Sequence, residues 1–536
     1  MPKSTIKSSS NSKVKSKEDK ATNRNKNKID EKIKENNEKI KETKEKMKET
    51  KKKIKENEEK IKKINKLFSD IDKAITNKIK KWEKSWQLFF LRKYWSKENE
   101  LDNIESGEPI DEENYTTKDL YSEKDKMEDF IWSISGFIDN LVCTKDLVNI
   151  LIQDMVQIKK KDKEDLKQII AKYKIAEDDI TNVVAVSDKN IIKRIKSIEK
   201  NENILDESKI YQNFLISIVT LYENFLGDML KWILTKYPEQ LPDDKQLLYQ
   251  DFLKFSSIDD IKNFYIGSYI RTIMSAKCFE QIKYVDKLLN KKDFLTNYIP
   301  VKELVEISSR RNLYVHNEWI INEQYVKNCK EVNIDNIWEI WDILKIDKSY
   351  FNNAFNTIYE STLKIAYLIF CKCSQEKDEI EMFDAFFNSN CFELISDIED
   401  KEKISLSSHL LEFVTNYIWG KKEHNTFSKR MYTINLALCY KIQWNCSKCK
   451  DIINNEDRST ASSSFKLAIF VLEGKWKEAS NLMPSATDFE REDVKNEEKL
   501  SFRDEDYRNF PIFFEFRKTE EFLNEYEKLF KRKFVE

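Results

Sequence analysis

Three histidines occur in the whole chain, His316, His409 and His424. Only His316 stands among residues suited to shared chemistry, in the run Arg310-Arg311-Asn312-Leu313-Tyr314-Val315-His316-Asn317. On a helix, Asn312 and His316 are four apart and stack on one face, with Val305 and Ser309 extending the stripe. Arg311 lies about 100° round from Asn312, close enough for its long fork to reach a shared ligand. A guanidinium, an amide and an imidazole converging on one spot suit a phosphodiester. The imidazole moves a proton, and the guanidinium holds the equatorial charge of the transition state. Such a set needs no metal if the RNA supplies its own 2′-hydroxyl as nucleophile. With thirteen Arg and three His in 536 positions, an Arg five residues before some His arises by accident with odds of roughly 7%, which any short motif has to beat. The competing reading is a helix end, with His316 favoured there by the dipole.

Other residues offer less. His409, in Leu-Ser-Ser-His-Leu-Leu, reads as a packing residue, and His424, in Gly-Lys-Lys-Glu-His-Asn, as solvated. Glu223 falls between Val219 and Leu226 on a largely apolar helical pattern, so it should meet a partner. Arg310 or Arg311 is the expected one, a purely structural ion pair being an equal alternative. Cys446-Ser447-Lys448-Cys449 has metal or redox spacing, but no second pair or nearby His completes a zinc site, and helix packing is the better reading. Cys371-Lys372-Cys373 cannot chelate alone. There is no Walker-type loop, nucleophile elbow or zinc histidine pair, so neither cofactor nor metal is expected. The basic stretches Lys51-Lys52-Lys53 and Lys159 to Lys163 are suited to RNA contact or, more commonly, to a solvated face.

The elements that must position these residues are helices. Only 6 Gly and 7 Pro occur in 536 residues, and sheets need turns that depend on both. An all-α chain is expected. Charged residues make up 35% at a net charge of −1, so no single-sign field covers it. Nine scattered cysteines read as reduced thiols. The N-terminus has no apolar core of signal type, and the most apolar stretch, Ile131 to Ile158, is broken by Asp139, Lys145, Asp146 and Asp154. A soluble, cytoplasmic protein with no membrane partner is the expectation.

Along the chain, residues 1–28 are rich in Ser, Lys and Asn and should be disordered. Over 29–84, Ile33, Ile40, Met47, Ile54, Ile61, Phe68 and Ile75 share one heptad position. The companion position is polar at Asn36, Thr43, Thr50 and Asn57. This predicts an N-terminal coiled coil, weak in the middle, against the alternative of a solvated single helix held by Glu–Lys pairs. Residues 85–204 read as further helices of no chemical signature, interrupted by turn residues around Ser106-Gly107-Glu108-Pro109. A helix starts near Ser208 as N-cap, carries apolar residues from Tyr211 to Ile233 at helical spacing and stops at Tyr237-Pro238. Pro300 is placed for the first turn of the helix that bears His316. In the C-terminal part, 377–536, Phe465 to Leu472, Gly474, then Trp476 to Met483 before Pro484 predict a helical hairpin.

The His316 segment in its longer context resembles the HEPN superfamily of all-α ribonuclease and nucleotide-binding domains. The resemblance lies in Glu303-Leu304-Val305-Glu306, in Arg310 to Asn317, and in Trp319-Ile320-Ile321-Asn322 with Tyr325. Leu221-Tyr222-Glu223-Asn224-Phe225 looks similar to the family's first core helix, and Ile346 to Phe351 to its closing one. It covers about 205–376 well and 405–530 more loosely, through Ile434 to Ala437 and Val471 to Gly474, and does not reach the first 200 residues. Glu318-Trp319 stand where relatives often carry Gly. The resemblance implies a helical-bundle core with Arg311 as phosphate clamp and His316 as the acid/base group. Asn312 would orient the phosphate, with Arg310, Asn317, Glu223 and Tyr325 in supporting positions. It implies RNA as substrate, a 2′,3′-cyclic phosphate product, a homodimer with both motifs in one cleft, or a higher oligomer formed through this domain and the coiled coil, and by analogy a toxin or antiviral-defence setting with a possible partner protein. The alternatives are a non-catalytic HEPN module holding RNA or a nucleotide, and a scaffold built on the coiled coil.

Overall fold

Local sequence starts each helix, usually with a short polar side chain that satisfies the free N–H groups of the first turn. Asp206 accepts from the Ser208 N–H at 3.0 Å, so the cap of that helix lies two residues ahead of the expected Ser208. Asp347 accepts from Tyr350 N–H at 2.8 Å, Asn425 from Ser428 N–H at 2.7 Å, and Ser462 from Phe465 N–H at 3.5 Å. The structure, a computed structural model, describes residues 117–173, 193–194, 196–198, 206–242, 255–289, 294–317, 319–335, 339–374, 376–418, 424–456, 459–487 and 502–535. The chain divides into two units, Met1–Glu113 and Asn114–Glu536, and every described residue belongs to the second. The expected tail, coiled coil and 106–109 turn lie outside the described residues.

In chain order the helices are α1 (Thr117–Tyr173), α2 (Glu207–Lys236), α3 (Ile258–Met274), α4 (Cys278–Leu288), α5 (Val301–Asn317), α6 (Glu323–Glu331) and α7 (Lys348–Cys373). They continue as α8 (Lys377–Ser396), α9 (Lys401–Ile418), α10 (Thr426–Ile442), α11 (Cys446–Asn454) and α12 (Ser463–Glu473). Last come α13 (Trp476–Ala486), α14 (Asp504–Asn509) and α15 (Glu520–Phe530). Among the described residues there is no strand, only the isolated bridges Ile320–Ile343 and Thr487–Phe502. The all-α class holds. No described helix is long and apolar enough to cross a membrane.

The axis of the packing is α7. Every residue from Ser361 to Phe370 is buried, the pattern of a helix surrounded on all sides. It packs against α1, α2 and α5 and also against α8 and α9. Phe130 of α1 shows how the layers join, with its ring 4.3 Å from Trp232 on α2 and 5.8 Å from Phe370 on α7. The expected boundaries at 204/205 and 376/377 therefore fall inside one unit, because α7 supplies core to both sides. The one lysine on its buried stretch, Lys364, pairs with Glu360 one turn back at 2.5 Å.

Two histidines sit differently from their sequence reading. His424 is buried, not solvated: its Nδ1 lies 2.8 Å from Asp384 Oδ2 on α8. The Tyr367 and Tyr432 hydroxyls donate to Asp384 Oδ1 at 2.7 and 3.1 Å, tying α7, α8 and α10 through one carboxylate. His409 is exposed rather than packed, and Nδ1 lies 3.5 Å from Glu360 Oε2.

The α12–α13 pair is the expected helix–Gly–helix, with Gly474 left-handed at φ 72°. The second helix runs three residues past the expected stop and contains Pro484, because Met483 and Ala486 are both buried in the C-terminal core. A Cβ on Gly474 would meet only the Trp476 ring at 3.7 Å, so there is room and the cost is backbone conformation alone. Gly474→Ala should lower unfolding free energy by about 1 kcal/mol, the usual penalty for a β-carbon in the left-handed region. Urea denaturation of the two chains measures this, and an unchanged midpoint would show that the turn tolerates a right-handed alternative.

Candidate functional site

From Leu304 to Arg310 helix α5 is buried on nearly every side. Leu304, Val305, Ile307 and, further along, Leu313 pack among α2, α4, α6 and α7, so the Val305–Ser309 part of the expected stripe is covered. Three polar residues, Glu306, Ser309 and Arg310, are buried along the same stretch. Its outer face carries Asn312, Val315 and His316, all exposed. Arg311 lies at the border between the two, with its side chain 15% exposed.

The two adjacent arginines have separate fates. Arg310 Nε donates to Glu306 Oε1 at 2.7 Å, its Nη1 reaches the Lys345 carbonyl at 3.3 Å, and its guanidinium lies 3.9 Å from the Tyr350 ring centre. Glu306 also accepts the Tyr325 hydroxyl on Oε1 and the Tyr350 hydroxyl on Oε2, both at 2.6 Å. Burial first, and then the Glu306 charge, raises both phenols well above their ordinary range, so they remain donors. One buried carboxylate thus joins α5, α6 and α7. Arg310 and Tyr325, expected in substrate-binding or supporting positions, are both enclosed in this network.

Arg311 turns the other way. Its Nη2 pairs with Glu223 Oε2 on α2, and its Nη1 donates to Asn312 Oδ1 at 2.9 Å. The Arg311 Nε is buried with no hydrogen-bond partner. Of the two arginines offered to Glu223, the structure brings Arg311. Cys278 on α4 also lies close by, its thiol pushed up to about 12 by burial first and by the Glu223 charge second. Arg311 is therefore a positioned cation. A phosphate would have to accept from its outward Nη hydrogens or displace the Glu223 carboxylate.

His316 occupies the last turn of α5, exposed and one turn beyond Asn312. Arg311 and His316 are about 140° apart around the axis and do not stack, since five residues exceed one turn by well over a residue. Arg311 meets the outer face at its edge, where its Nη1 donates to Asn312 Oδ1. The chain then reverses at Trp319, which adopts φ 67° and is 6% exposed. Its ring packs 4.4 Å from Tyr314, and its N–H reaches the Leu313 carbonyl at 3.3 Å. Ring packing thus holds a bulky residue in a backbone region that favours glycine. Asn317 serves the same reversal: its Nδ2 donates to the Ile320 carbonyl at 2.5 Å. Tyr314 anchors the helix to α2 by donating to Asn213 Oδ1 at 3.0 Å.

Sequence reasoning assigned no role to Glu306 or Tyr350. The Glu306–Arg310 spacing of four was a readable signal, but Tyr350 arrives from another helix. Among the described residues no group of His, Cys, Asp or Glu is arranged to hold a metal. Compared with known proteins, the chain matches no family model, no curated sequence and no solved structure.

Proposed function

We propose that this all-α chain is a metal-independent endoribonuclease of the HEPN type. In this reading Arg311 holds the scissile phosphate, Asn312 orients it, and His316 moves the proton as the RNA 2′-hydroxyl attacks, leaving a 2′,3′-cyclic phosphate end. The observation that supports it is the contact of Arg311 with Asn312 on an exposed helix face that also carries His316. A second copy of the chain, facing its own α5 across a shared cleft, would complete the site, and growth arrest by RNA cutting in toxin or antiviral defence is the setting the resemblance implies. A second reading, a non-catalytic module that holds RNA or a nucleotide, is favoured by the Glu223 carboxylate already engaging Arg311.

RNA incubated with the full chain in EDTA separates the two. Fragments ending in cyclic phosphate are the expected result. Retention of RNA on the chain with no fragments would leave the binding module standing and remove the nuclease.

A further inference from the structure

Cys446-Ser447-Lys448-Cys449 opens α11, and its two thiols differ sharply in access. Cys446 is the one exposed cysteine of the nine, whereas Cys449 is 4% exposed. Cys446 holds the first helical position behind the Asn445 cap, whose Oδ1 accepts the Lys448 N–H at 3.3 Å. The Cys449 N–H closes the turn on the Asn445 carbonyl at 3.1 Å. Helix geometry sets Cα atoms three apart at about 5 Å, inside the roughly 4.4–6.8 Å that a disulfide spans. Their Cβ atoms, about 5–6 Å apart in a regular helix, must close by 1–2 Å or so. The turn ahead is open to solvent, with Trp444 85% exposed at φ 61°. Burial raises the Cys449 thiol above its ordinary range, and Lys441 opposes this. Cys371 and Cys373, by contrast, are two apart and point to different sides of α7.

The geometry points to a thiol–disulfide exchange site at the head of α11, with a small disulfide such as glutathione disulfide as its reactant. Cys446 as thiolate attacks one sulfur of the incoming disulfide. A bond from Cys446 to that sulfur forms, the reactant's own S–S bond breaks, and the departing thiolate takes up the proton Cys446 released. Cys449 then loses its proton and attacks the Cys446 sulfur, expelling the second small thiol, which takes up that proton. Two electrons pass from the cysteine pair to the reactant, which leaves as two thiols, and the Cys446–Cys449 disulfide closes. Exposure sets the order of the steps, since only Cys446 is open to the reactant. This site is independent of the ribonuclease reading.

The full chain is treated with glutathione disulfide, its remaining thiols are blocked, and it is digested with trypsin. Cleavage after Lys448 separates the two cysteines, so a Cys446–Cys449 bond holds fragments 442–448 and 449–450 together until reduction. The linked pair is expected in the natural chain and should be lost completely in Cys446→Ser. Cys449→Ser should stop at glutathione attached to Cys446. An unmodified Cys446 in the natural chain overturns the proposal, as does glutathione on Cys446 with no linked pair. The natural chain and the exposed-site variant Cys446→Ser decide the matter even if the buried substitution unfolds.

Discussion

Arg311→Lys is expected to slow RNA cleavage almost as much as Arg311→Ala, by about 10²- to 10³-fold, the usual loss for one charge-assisted contact to a transition state. The planar fork of Arg already spans two neighbours, Glu223 through Nη2 and Asn312 through Nη1. In the proposed reading, one further hydrogen on each Nη is left to meet a phosphate oxygen. Lys offers one compact charge, which Glu223 would capture, leaving Asn312 without its partner and the phosphate without a donor. Folding should survive, because the α2–α5 ion pair is retained and lysine is a good helix former. His316→Ala should abolish cleavage with the melting temperature almost unchanged, since His316 is exposed at a helix end. Single-turnover rates in EDTA at one pH, with a thermal melt of each variant, supply the comparison. A Lys variant at near natural rate would reduce Arg311 to a diffuse positive charge. An unfolded His316→Ala would make that residue structural.

The largest stability effect should come from Glu306. Replacing it by Ala strands the Arg310 guanidinium, whose side chain is 6% exposed, without its carboxylate. It also leaves the Tyr325 and Tyr350 hydroxyls without their acceptor. Breaking a buried pair from one side typically costs about 3–5 kcal/mol, much of it the penalty of the orphaned charge. A double variant, Glu306→Leu with Arg310→Met, should recover the part owed to the orphaned charge, because no buried charge is then left over, but not the part owed to the two tyrosine hydroxyls. Denaturant unfolding of the single and double variants gives the two values. A single-variant cost below about 1 kcal/mol would mean that water reaches Arg310 and that the network does not hold α5, α6 and α7 together.

The same contrast marks how far the sequence could be read. Helical class followed from scarce Gly and Pro and from apolar spacing, both of which act through backbone preferences within a few residues. So did the Gly474 turn, the start of α2 to within two residues, and the placing of Asn312 one turn before His316, which needs only the pitch of a helix. Arg310 and Arg311 were another matter. They are neighbours of one type on one helix, and only the arrival of Tyr350 from α7 and Glu223 from α2 sends one inward and the other to the rim. His424 looked solvated amid Lys and Glu because its burial depends on Asp384, forty residues away on another helix. Local stops carry no sign that α7 packs against helices both before and after it in the chain. Backbone conformation is settled by near neighbours, whereas burial and the pairing of charges depend on which surfaces meet. Only the packed helices of this chain decided that.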